Sequence, residues 1–162
     1  MKRLLMILLV ASPYFLQSQN LPSWIKNPPA DSNVIYAVGK GTSSNAETAE
    51  RKARLDANVG LAEQVNPALV NVTTQLESKV RKNKVLKEKV KVVRKTVTGN
   101  LQDVSVVKKF TFERKGIHTA YILLEMPRKS INRSIVRAID NDEELHNAVK
   151  ETKAYKNLKT PL

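Results

Sequence analysis

The chain has no cysteine, two histidines, one tryptophan and only 5% aromatic residues. Without cysteine there can be no disulfide, thiol nucleophile, thiolate metal site or cysteine-ligated iron–sulfur cluster. Two histidines are too few for a histidine-rich metal centre. Acidic residues are scarce as well: 15 Asp plus Glu stand against 28 Lys plus Arg, giving a net charge of +13. No apolar run reaches the roughly 20 residues a membrane-spanning helix needs. What is present suffices for a folded body. A length of 162 residues with 41% hydrophobic content fits one domain with a core and excludes a wholly disordered polymer.

The first residues predict export. Met1-Lys-Arg is followed by the apolar run Leu4 to Val10 and a small, polar exit, the three-part pattern of a secretory leader. Cleavage is expected after Ser18, leaving Gln19 first; a hydrophobic N-terminal core helix is the competing reading. Losing residues 1–18 removes Lys2 and Arg3 and lowers the net charge by two. With no cysteine to carry a lipid, the mature chain is expected to be unlipidated, without a transmembrane span, and periplasmic or outer-membrane-associated.

A proline-rich lead-in, 19–33, precedes a single domain over 34–150 and a tail over 151–162. In the lead-in, Trp24 is read as a packing anchor in preference to a sugar-stacking platform. Val34 to Val38 reads as a strand that Gly39-Lys40-Gly41-Thr42 would end in a tight turn. Ser44 and Glu47 have capping-box spacing, and Ala46, Ala49, Ala53, Ala57 and Leu61 mark one helical face up to Asn66-Pro67. Leu55, Val59 and Ala62 fall on another side. Val70, Val72, Thr74, Leu76 and Val80 alternate with polar residues and predict a half-buried strand.

The next stretch is ambiguous. Valine and threonine favour a strand, yet Leu86, Val90, Val93, Val97 and Leu101 step by three and four, with Lys84, Lys87, Lys91 and Lys95 on another side. A basic amphipathic helix ending near Gly99 is the reading adopted. Residues 104–113 and 117–126 form an antiparallel hairpin around Arg114-Lys115-Gly116. Ile131, Ile135, Ala138 and Ile139 mark a further helix, which Asp140 with Glu143 would cap onward through Leu145 and Val149. Tyr155 and Leu158 are expected to dock the tail. The sum is an α+β fold, an antiparallel sheet of about four strands with helices packed on one face.

No catalytic set, metal site or cofactor emerges. The Gly39–Thr42 segment lacks the spacing of a nucleotide-binding phosphate loop. His118 and His146 have no metal-binding neighbours and read as surface or packing residues. Asp140, Asp142, Glu143 and Glu144 lack calcium-loop spacing and its central glycine. Asn71-Val-Thr73 and Asn132-Arg-Ser134 match the glycosylation sequon by chance. An enzyme using Lys40 or the acidic group at 140–144 is the least supported reading.

The basic stretch carries the functional weight. Lys79, Arg81, Lys82, Lys84, Lys87, Lys89, Lys91, Arg94 and Lys95 crowd into 17 positions with Glu88 as the lone acid. A solvated charged face is the plain alternative. As a site, the cluster would draw polyanions through long-range, salt-sensitive forces. Nucleic acid is disfavoured because no stacking aromatics accompany it. In an exported protein, anionic lipid, lipopolysaccharide or another acidic envelope polymer fits better.

Pro22-Ser-Trp24, Asn27-Pro28-Pro29, the run from Tyr36 through Gly39 to Gly41, the alanine-spaced helix and Tyr121-Ile-Leu-Leu124 together resemble the LPP-twenty family of bacterial envelope lipoproteins. The resemblance spans roughly Leu21 to Met126. It implies a small α+β domain in the periplasm or at the outer membrane, without established catalytic residues; related domains occur in flagellar outer-ring accessory proteins. The family's lipid-bearing cysteine is missing here. Two functions follow as expectations: a non-enzymatic envelope interaction or assembly module, with an envelope protein or a second copy as partner, or a polyanion binder acting through residues 79–95.

Overall fold

The computed structural model describes residues 20–160; the expected leader lies outside them. A short helix, α1 (Ser23–Lys26), precedes strand β1 (Val34–Ser43) and the long helix α2 (Ala46–Lys79). Helix α3 (Lys84–Gly99) leads into the hairpin of β2 (Ser105–Arg114) and β3 (Ile117–Pro127), and α4 (Lys129–Asp140), α5 (Glu143–Val149) and α6 (Lys153–Lys159) follow. The sheet is antiparallel in the order β1-β3-β2. The α+β class agrees with the sequence; the strand number does not, since three strands form among the described residues.

The strand expected over 70–80 is the second half of α2. Val72, Leu76 and Val80 satisfy a helical repeat as well as an alternating one. Continuity decides between them: the buried positions of α2 run Ala49, Ala53, Ala57, Leu61, Val65, Leu69, Thr73 and Leu76. Steps of four exceed the 3.6 residues of a helical turn, so the buried stripe rotates around the helix. Its first half therefore faces the sheet and its second half faces α3. Pro67, expected to end the helix, sits exposed inside it. Its ring costs a hydrogen bond and a clash with the preceding turn, which burial of Val65, Leu69 and Leu76 offsets. Pro67→Ala is accordingly expected to stabilise the protein by about 2 kcal/mol, the helix-interior difference less the entropy proline removes from the unfolded chain. Denaturant unfolding measures it.

Gly39 and Gly41 are not a turn. β1 runs straight through both, and they are the points at which α2 lies on the strand. A Cβ on Gly39 would come within 2.0 Å of the Ala53 carbonyl oxygen and 2.2 Å of the Ala57 nitrogen. At Gly41 the same atom would meet the Ala49 oxygen at 2.0 Å. The methyl-only face of α2 and the bare backbone of β1 are two halves of one contact. The phosphate-loop comparison falls with the turn. Capping also shifts by one residue: Asn45, not Ser44, accepts the Thr48 amide at 2.9 Å.

Behind α2, Ile35, Ala37, Ala120, Ile122, Leu124 and Met126 supply the sheet side of the core. Alternation sends Leu123 to the opposite face, where Tyr36, Val38, Phe110 and Tyr121 are half-buried. Leu123 and Trp24 are buried outside the main cluster, and α1 touches β3. Trp24 is thus the anchor it was read to be, on a helical turn within the lead-in.

The hairpin closes through Lys115 (φ 54°) and Gly116 (φ 74°), the two left-handed residues of a tight two-residue turn. Strand β2 is an edge and largely exposed. The segment read as a tail carries α6, docked by buried Tyr155 and Leu158.

Candidate polyanion-binding site

Helix α3 exists because its apolar steps match a helix. Leu86, Val90, Val93 and Val97 are buried, and Asn83 caps the start by accepting the Leu86 amide at 3.1 Å. The turn from α2 is closed by the Asn83 amide donating to the Val80 carbonyl at 2.8 Å. Around it Lys79, Arg81 and Lys82 rim a shallow depression that also takes in Val80, Leu86 and Ala148 of α5. The amino end of α3 adds the positive end of its dipole. Lys84, Lys87, Lys91 and Lys95 then form one exposed row along the helix.

The structure divides the nine cations into two groups. Three are engaged. Lys89 lies 2.9 Å from Asp142 and 2.7 Å from Glu144, and hydrogen bonds to Glu144 and then Asp142 hold its ammonium above the usual lysine range. Lys91 lies 2.7 Å from Glu88, a hydrogen bond that raises the lysine and lowers the carboxyl. Arg94 turns inward: its Nε and Nη2 donate to the Thr73 hydroxyl at 2.9 and 2.6 Å, and Glu77 lies 3.6 Å away. Arg94 therefore brackets α3 to α2 and is a poor candidate for an external anion. Among the described residues Lys79, Arg81, Lys82, Lys84, Lys87 and Lys95 have no ion-pair partner, and all six are exposed.

The remaining sequence candidates have structural partners. The ammonium of Lys40 lies 5.8 Å from the Tyr121 ring centre, far along the chain from the acidic group at 140–144. Asp142, not Asp140, caps α5, accepting the Leu145 amide at 3.0 Å. Asp140 instead accepts the Tyr155 hydroxyl and contacts His146 at 2.7 Å, with Lys159 at 3.9 Å. Burial pushes the Asp140 carboxyl up, but these hydrogen bonds and the nearby cations outweigh it and hold the group below its ordinary value. Burial, then the bond to Asp140, raises the Tyr155 hydroxyl. The cluster ties α4, α5 and α6 together, a role for His146 that its sequence neighbours do not disclose.

A depressed carboxyl contributes stability that is complete above its unfolded value of about 4 and is lost as pH falls through the lower folded value. Tyr155→Phe is expected to cost about 1 kcal/mol at neutral pH. That difference should shrink as pH falls below the ordinary carboxylate range and Asp140 protonates, read from chemical unfolding across the acid range.

No described helix is long and apolar enough to cross a membrane. Among the described residues no cluster of three or more His, Asp or Glu is placed to hold a metal ion. No family model and no curated protein matches the chain, so the likeness to the LPP-twenty family rests on the motifs alone. The solved structure of the secreted protein HP1454 from the human pathogen Helicobacter pylori is distantly similar, at 15% identity and a TM-score of 0.35. The match covers 79% of this chain and 55% of that one, so the chain spans about half the length of that protein. A likeness at that level carries no information on function.

Proposed function

We propose that this protein is an exported, non-enzymatic module of the cell envelope that works by contact, engaging acidic polymers through the corner between α2 and α3. The observation that carries this reading is the row of unpartnered cations. Six exposed positive groups within 17 residues form no ion pair among the described residues, and Glu88, the carboxylate near Lys84 and Lys87, is already bonded to Lys91. Ordinary surface lysines are interleaved with carboxylates, whereas in this patch a bound polyanion would relieve repulsion among neighbouring cations. Export is supported by the leader pattern at residues 1–18 and by the motifs shared with envelope lipoproteins. With no lipid-bearing cysteine, surface association would use protein contacts or charge.

Titration with long-chain polyphosphate tests the reading. Saturable binding that weakens steeply as salt rises is the expected result, because exposed charges are screened within about 10 Å at 0.1 M salt. Absent or salt-independent binding would remove the basis for the proposal.

A further inference from the structure

Helix α3 carries a second feature that a soluble polyanion does not explain. Val85 and Val92 are 59% and 61% exposed, among the most exposed large hydrophobic residues described. They are seven residues apart and so share one line along the helix. That line is not the core side, which Leu86, Val90, Val93 and Val97 occupy. At about 100° per residue, the valine line flanks the row of Lys84, Lys87, Lys91 and Lys95, and Val92 also rims a shallow groove that α3 forms with Ala138 of α4 and Leu145 of α5. Glu88 is the one carboxylate between them, and Lys91 already neutralises it at 2.7 Å.

We propose that the partner of α3 is the surface of an anionic lipid bilayer. This rests on the polyanion reading and narrows it to one source of negative charge. The four lysines would meet lipid phosphates with their stems laid along the surface, as long cationic side chains do at membrane boundaries. Val85 and Val92 would enter the layer between headgroups and acyl chains. A helix lying flat in an interface needs both components, charge toward the headgroups and apolar side chains toward the hydrocarbon. A hydrated polymer such as polyphosphate rewards only the first. On α3 an exposed apolar line and a run of cations without ion-pair partners are adjacent.

The exported chain and two variants separate the possibilities, with phosphatidylcholine vesicles containing or lacking phosphatidylglycerol as one probe and polyphosphate as the other. The wild type should sediment with the anionic vesicles and not with the neutral ones. V85S/V92S should bind the anionic vesicles about tenfold more weakly while binding polyphosphate unchanged. Both sites are exposed, so its thermal unfolding should match the wild type. K84E/K87E/K95E should lose both ligands. Equal vesicle binding by the valine variant and the wild type, or wild-type binding to polyphosphate without binding to anionic vesicles, overturns the lipid assignment and leaves the polyanion reading standing. Unaltered polyphosphate binding by the lysine variant overturns the polyanion reading itself.

Discussion

Gly39→Ala is expected to lower the unfolding free energy by about 3 kcal/mol or more, at the upper end of overpacking effects. The added methyl would sit 2.0 Å from a backbone oxygen and 2.2 Å from a backbone nitrogen of α2. Neither can move as a side-chain tip could. Relief requires lifting α2 from β1, which opens the contact made by Ala49, Ala53 and Ala57, all fully buried. Gly99→Ala is the matched control: nothing lies within 4 Å of its added carbon. That change should be neutral or mildly stabilising through helix propensity. Urea unfolding of both variants measures the contrast, and similar effects at the two sites would mean the close approach does not exist.

Reversing Lys84, Lys87 and Lys95 to glutamate is expected to weaken polyphosphate binding at least about 100-fold at low salt, the largest binding effect anticipated. These three are preferred over Lys91, whose reversal would also break its contact with Glu88. None of the three forms an ion pair among the described residues, so stability should change little beyond a small added repulsion with Glu88. Lys89→Glu is the informative contrast. It would face Asp142 and Glu144 and so destabilise the packing of α3 on α5. If the two variants lose binding equally in proportion to charge, net charge governs and the corner has no special role.

Much of the fold was legible because spacing and burial agree. The stepping of Leu86, Val90, Val93 and Val97 identified α3 despite its β-favouring composition, and Arg114-Lys115-Gly116 marked the hairpin, with Arg114 belonging to β2 and not to the turn. The second half of α2 was not legible. Val70, Val72, Thr74 and Leu76 alternate over a short window, and a proline stands just before them. Only the packing of the whole 34-residue helix shows that Leu69, Thr73 and Leu76 continue one rotating stripe. Gly39 and Gly41 misled for a related reason: a glycine that makes room for a helix backbone looks, in sequence, like one that permits a turn.

The site was half legible. Crowding of lysine and arginine is visible in one dimension, but which of those charges are already satisfied is not. Lys89 finds Asp142 53 residues away, and Arg94 finds Thr73 21 residues back. The exposed valines were equally hidden, since Val85 and Val92 differ from Val90 and Val93 only in the side of the helix they take.

Amide chemical-shift mapping of the isotope-labelled protein during titration with polyphosphate tests most directly where acidic partners bind. The account predicts perturbations confined to the segment from Lys79 to Lys95, with the amides of β2 and β3 unmoved. Perturbations centred on the open sheet face around Phe110 and Tyr121, with α3 silent, would contradict it.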